Sequence, residues 1–233
     1  MADPTILTGR ILITGGGSGL GAAVADAVEA AGGTPIILDR DISGVGDRTA
    51  YEADVSDGRA VEDRVRAVVD EQGGLEAVVT AAGIDRCGRL EEVPAEEWER
   101  VISVNLLGTA AVVRAALPAL TASRGRVVTV ASSLALRAVS DATAYCASKF
   151  GVLGFSRALA AETRGQIGVT TLVPSGMRTH FFDDRDDKYK PGDDASLNDP
   201  NAVANAVMFA LNQPEGCEVR ELVICHENEE SWP

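Results

Sequence analysis

Tyr145 and Lys149, in the segment DATAYCASKF (141–150), stand four residues apart. That is just over one turn of an α-helix, so in a helix both side chains leave the same face and a phenol and an ammonium ion become neighbours. A free phenol titrates near pH ~10 and exchanges protons poorly at neutral pH, whereas a cation beside it favours the phenolate. Taken singly, the tyrosine reads as a packed aromatic and the lysine as an exposed helix charge. The pair acquires chemical meaning only from its surroundings.

The second candidate is the stretch ILITGGGSGLGAAVADAV (11–28), which passes from a β-branched run through glycines into an alanine-rich helical pattern. Glycines let the backbone turn sharply and approach a phosphate, and the helix N-terminus offers N–H groups to the anion, as a dinucleotide pyrophosphate requires. Gly16 and Gly21 have the spacing of a Walker A loop, but Ala22 and Ala23 stand where Lys and Ser/Thr are needed. Gly17-x-Gly19-x-x-Ala22 fits GxGxxG/A instead. Asp39 ends the next β-branched run, about 20 residues on, where an acid accepts hydrogen bonds from ribose hydroxyls and repels a 2′-phosphate. NAD is therefore favoured over NADP, although Arg40 is suited to bind that phosphate.

The elements that must position these residues alternate. RILIT precedes a helical pattern at 19–31, TPIIL a short polar link, and TAYEA a helix at 57–71. EAVVT is followed by 95–121, GRVVTV by 143–163, IGVTTLV by 200–211, and EVRELVIC closes the series. Seven strands with helical crossovers imply an α/β fold: a single-domain, Rossmann-type, doubly wound parallel sheet over 1–233 with helices on both faces. The link DRDISGVGDR has room for at most one helical turn and two glycines that discourage it, so the crossover helix is expected to be clipped there. Residues 180–197, HFFDDRDDKYKPGDDASL, follow a strand end and form a substrate-side loop, with Phe181 and Phe182 beside several aspartates.

A net charge of −14 argues against nucleic acid and anionic membrane surfaces as partners and leaves small molecules or copies of the chain. Cys87, Cys146, Cys217 and Cys225 are scattered, suggesting neither a metal site nor a disulfide framework and fitting a cytoplasmic location. MADPTILTGR lacks the pattern of a leader, and no run of ~18 apolar residues is read as spanning a membrane.

Together, Thr14, Gly15, Gly19 and Gly21 in TGxxxGxG, with Asn105, Ser132 and Tyr145-x-x-x-Lys149, resemble the short-chain dehydrogenase/reductase family over nearly the whole chain. The resemblance implies that Tyr145 is the general acid/base and that Lys149 holds the nicotinamide ribose and lowers the tyrosine's pKa. It implies that Ser132 hydrogen-bonds the substrate oxygen and that Asn105 supports a water-linked relay. Asn105 lies in ERVISVNLLGTAAVV, where asparagine competes for backbone hydrogen bonds and a distortion freeing a carbonyl is expected. The cofactor would meet Ser18 and Leu20 in the turn, Asp54 and Val55 after the third strand, Ala81, Ala82 and Gly83 after the fourth, and Pro174 and Thr179 near the nicotinamide. Asp54 is read equally as the cap of a helix beginning near Ser56.

Three positions depart from the family pattern. Ala81-Ala82-Gly83 replaces Asn-Ala-Gly, Pro174-Ser175 replaces Pro-Gly, and the C-terminal QPEGCEVRELVICHENEESWP lacks a glycine-rich ending, looking more like the subgroup with 3-hydroxy acid dehydrogenases. The implied activity is hydride transfer between a secondary alcohol and a carbonyl compound, without a metal. The alternative is a non-catalytic dinucleotide sensor or regulatory subunit. Ala144, Ala147, Ser148, Gly151 and Gly154, with Gly108, Ala110 and Ala111, crowd small residues onto two helices, which favours a homotetramer or homodimer.

Overall fold

The computed structural model describes residues 8–228; the outer parts of the N-terminal and C-terminal stretches read above, 1–7 and 229–233, lie outside the described residues. The sheet consists of β1 (Arg10–Thr14), β2 (Thr34–Asp39), β3 (Ala50–Glu52), β4 (Ala77–Thr80), β5 (Arg126–Val130), β6 (Gly168–Pro174) and β7 (Glu221–Ile224). Every pairing is parallel, in the order β3-β2-β1-β4-β5-β6-β7. Helices cover both faces, so central strands read as continuous apolar runs rather than alternating ones. Ile11, Leu12 and Ile13 are all fully buried.

α1 (Gly19–Ala30) and α6 (Pro200–Leu211) pack on one face. On the other lie α2 (Gly58–Gln72), α4 (Thr109–Ser123) and α5 (Thr143–Glu162). α3 (Ala95–Ile102) leads into α4. Local chemistry sets the starts of α2 and α6: Asp57 accepts from Ala60 N at 3.1 Å, and Asp199 accepts from Asn201 N with Pro200 at the first position. Between β2 and β3 there is no helix, as the two glycines require.

The expected helix at 95–121 is one continuous rod with a change of pitch, because Ser103–Gly108 is π-helical between α3 and α4. The whole rod, Ala95–Ser123, is long and apolar enough by composition to cross a membrane, with a mean hydropathy of 1.6 in its apolar window. More than half of that window is buried against the sheet and its neighbours, the pattern of a core helix.

The chain switches direction across the sheet between β1 and β4. At such a switch point adjacent crossovers leave on opposite faces and open a crevice at the carboxyl ends of the strands.

Candidate active site

That crevice is a cleft of about 900 Å³. Its cofactor-sized half begins at the glycine turn. Gly15 has φ +69°, and a Cβ there would lie 2.7 Å from the backbone of Ala82; a Cβ at Gly21 would lie 2.1 Å from the Gly15 carbonyl. Only glycine permits this close folding of strand end onto helix start. Ser18, at the N-cap of α1, makes no side-chain capping bond, which leaves the helix N-terminus to an anion. Leu20 is buried under the turn and also lines the cleft.

Asp39 reaches back to this turn. One carboxylate oxygen accepts from Gly17 N at 2.8 Å and the other from Asp41 N at 3.1 Å, so the acid is fixed in the cleft wall with Arg40, Asp54 and Val55. Asp54 is not the cap of α2, since Asp57 takes that place. It instead accepts from Ser56 N at 2.8 Å and stands 3.6 Å from Arg100. The Ser56 hydrogen bonds and the nearby arginines hold its carboxyl below the usual range despite some burial.

The departures from the family pattern have local solutions. Where Ala81 lacks a bracing side chain, the Thr14 hydroxyl accepts from Ala82 N at 3.2 Å and ties β1 to the end of β4. Ser175 replaces glycine without adopting positive φ. It is buried, donates its N–H to Ile224 O at 3.0 Å, and its hydroxyl accepts from Asn198 Nδ2 at 3.0 Å. Pro174 lines the cleft, and Thr179 stands over the glycine turn, where a Cβ on Gly19 would touch its side chain at 3.6 Å.

In the other half, Ser132, Tyr145 and Lys149 share one wall. β5 ends at Val130, and Ser132 follows in extended backbone, its hydroxyl accepting from Leu134 N at 3.1 Å. One turn of α5 separates Tyr145 from Lys149, whose ammonium lies 5.6 Å from the tyrosine ring centre. The ammonium is buried and donates to Val130 O at 2.8 Å.

Here the electrostatics differ from expectation. Burial pushes the Tyr145 phenol up to about 12, opposed by a hydrogen bond with Ser132, and Lys149 is not what holds it down. Burial also lowers Lys149 to about 8, with Asp85 acting the other way. Both groups lose water to the same low-dielectric space, and the ammonium is directed at a carbonyl rather than the phenol.

Asn105 is buried within the π-helical segment. Its side chain clamps Ile84, accepting from Ile84 N at 2.8 Å and donating to Ile84 O at 2.9 Å, and donates to the Ser148 hydroxyl at 3.0 Å. The expected distortion is present, and the carbonyl it was to free accepts from Thr109 Oγ1 at 2.8 Å. A Cβ on Gly83 would lie 3.5 Å from Asn105 Oδ1 and 3.6 Å from Lys149 Nζ, which puts the end of the β4 loop beside both side chains.

Segment 180–197 covers the catalytic end. Phe181 packs 5.8 Å from the Tyr145 ring, and Phe182 meets Phe181 edge-on at 5.5 Å. Two residues escaped the sequence reading, Asp85 and Arg185, which form a 2.6 Å ion pair across 100 positions. Asp85 sits two residues past Gly83, and Arg185 is a base within an acidic run; neither signal pairs them.

These residues fit a dinucleotide: a tight glycine cradle, an open helix end, and an acid at the next strand tip. The comparisons with known proteins agree. A family model described as short chain dehydrogenase matches residues 10–190, and the chain belongs to the short-chain dehydrogenase/reductase family. D-threitol dehydrogenase of Mycolicibacterium smegmatis is 36% identical over 189 residues, covering 75% of this chain and 73% of that protein. An alcohol dehydrogenase of Thermococcus sibiricus, solved with 5-hydroxy-NADP, superposes with a TM-score of 0.84 at 25% identity, over 95% of this chain and 97% of its own. The fold is also that of the aldohexose dehydrogenase of Thermoplasma acidophilum (TM-score 0.83, 24% identity, covering 93% and 92%).

Proposed function

We propose that the chain is one NAD(P)-dependent oxidoreductase domain interconverting a secondary alcohol and a carbonyl compound, with NAD preferred. The observation that carries this is the shared wall of Ser132, Tyr145 and Lys149 at one end of a cleft whose other end holds the glycine turn and Asp39. The intact set argues against a non-catalytic sensor.

In reduction the neutral Tyr145 phenol gives its proton to the carbonyl oxygen while Ser132 holds that oxygen, leaving a phenolate; in oxidation the phenol first loses its proton to solvent, and the phenolate then takes the substrate hydroxyl proton. Lys149 keeps a positive charge beside the phenolate that forms. Asn105 positions α5 through Ser148 and holds the strand-end backbone at Ile84. When bound, the nicotinamide accepts or supplies the hydride. Glycines 15–21, Ser18, Leu20 and Asp39 would hold the pyrophosphate and adenosine side, with Asp54 and Val55 along the adenine wall. Ala81, Ala82, Gly83, Pro174 and Thr179 would flank the nicotinamide side.

Assembly through α4 and α5 into a homotetramer or homodimer is part of the same reading, supported by the exposed Leu107 and Phe150 on that helical layer. A reducing cytoplasm suits four free thiols. The test is NADH or NADPH formation with a panel of secondary alcohols: turnover with NAD above NADP supports the reading, and binding without turnover of any alcohol or ketone favours the sensor.

A further inference from the structure

The catalytic end of the cleft carries a charge arrangement that selects among alcohols. Arg185 donates through Nη2 to Asp85 Oδ2 at 2.6 Å and through Nη1 to the Tyr189 carbonyl at 3.2 Å. Its guanidinium lies 4.5 Å over the Phe182 ring and 5.6 Å from the Phe181 ring, which itself packs on Tyr145. Arg185 thus lines the cleft one aromatic ring away from the proposed proton donor, with 18% of its side chain exposed, while Asp85 is buried to 3%. Asp85 also accepts from Arg86 N at 2.7 Å and from the Cys87 thiol at 3.2 Å, so its orientation is fixed from three sides.

An arginine in a substrate site ordinarily serves as a receptor for carboxylate or phosphate, using its fork of donors. Here two of its five donors are already engaged, one of them by a carboxylate. One arm of the fork is on a buried carboxylate, and Asp184 and Asp194 line the same cleft, so three carboxylates stand against the two cations Arg185 and Lys149. An anionic substrate would enter against this field. The field reaches the chemistry, since Asp85 raises the pKa of both Tyr145 and Lys149. A hydroxyl group, in contrast, both donates and accepts and brings no charge. It suits an arginine with free donors beside carboxylates that have free lone pairs.

Building on the alcohol–carbonyl reading above, we propose that the Asp85–Arg185 pair reads a hydroxyl of the substrate beyond its reacting carbon, so that the substrate is an uncharged polyhydroxy compound, a polyol or aldose, rather than a hydroxy acid or sugar phosphate. An alcohol lacking that hydroxyl leaves polar groups desolvated without partners, which is how such sites discriminate.

The experiment compares kcat/KM of the purified protein with NAD for three probe sets: xylitol, D-threitol and D-glucose; butan-2-ol and cyclohexanol; and 3-hydroxybutyrate. The expected order is polyhydroxy compound over simple alcohol by roughly 10- to 100-fold, with the hydroxy acid poorest. Arg185→Met should collapse the ratio of polyol to butan-2-ol by about 10-fold or more. That variant leaves Asp85 buried and unpaired and so risks the fold; Asp85→Asn provides a gain-of-function readout instead. Freeing Arg185 should raise kcat/KM for 3-hydroxybutyrate relative to the polyol by roughly 10-fold. A wild-type preference for butan-2-ol or 3-hydroxybutyrate, or ratios unmoved in both variants, overturns the inference while the oxidoreductase reading stands. Turnover of none of the three sets with either cofactor overturns both.

Discussion

The Lys149 ammonium stands 5.6 Å from the centre of the Tyr145 ring and gives its hydrogen bond to the Val130 carbonyl, not to the phenol. Burial therefore favours the neutral form of both groups, the phenol pushed up to about 12 and the ammonium down to about 8. At neutral pH the pair is a neutral acid beside a cation whose charge is costly to keep. The cost has a use: a phenolate formed in turnover finds a positive charge already in place.

This arrangement predicts a stability that depends on pH through Lys149. Its folded pKa lies below its unfolded value, so between about pH 8 and 10.5 the unfolded chain binds more protons and stability rises with pH. Below that window the penalty is present in full, on the order of 3 kcal/mol before the Val130 bond offsets part of it. Lys149→Met should raise the melting temperature at pH 7 by several degrees, lose the advantage by pH 10, and abolish most turnover. The raised Tyr145 pKa works oppositely, removing stability only as the pH climbs from about 10 to 12. Thermal melts of both proteins at pH 7 and 10 check this; a variant less stable than wild type at pH 7 contradicts it.

Asp39 is fixed by Gly17 N and Asp41 N with its charge facing the cleft. Asp39→Asn keeps an acceptor for the glycine turn and removes the charge that would repel a 2′-phosphate. Titration should show the ratio of NADP to NAD affinity rising by roughly 10-fold. No change would transfer control of the site to Arg40.

The small residues of α5 divide between two duties. A Cβ on Gly151 would meet Leu106 at 2.7 Å, and Ala144 and Ser148 are buried, so these pack inside the subunit. Gly154 has open space around it and Ala147 is exposed, beside the exposed Phe150. Gly154→Arg should leave the subunit folded and shift its mass downward in light scattering after size exclusion. A wild-type protein that is strictly monomeric and active contradicts assembly through this layer.

Strand and helix positions were legible in the sequence because buried parallel strands are apolar runs and the helices keep their period. α6 matches its expected limits, α1 and α5 differ by one residue at one end, and α2 is shifted by one residue at both ends. The π-helical segment was signalled only by Asn105, and the hydroxyl that Thr109, one turn on, supplies to the Asn105 carbonyl had no signal of its own. The Tyr145–Lys149 neighbourhood follows from helical spacing, but its pKa balance does not, since desolvation depends on walls contributed by β5 and by segment 180–197. The Asp85–Arg185 pair was invisible for a similar reason: two ordinary charged residues 100 positions apart meet only when the loop after β6 folds over the end of β4.

The central claim is that Tyr145 moves the proton in a dinucleotide-dependent alcohol–carbonyl reaction. Its most direct test is Tyr145→Phe, assayed by NADH absorbance with the best alcohol and by NADH titration in parallel. The variant should bind NADH within a few-fold of wild type while turnover falls by roughly 10²–10⁴ or more. Undiminished turnover in the folded variant would contradict the account.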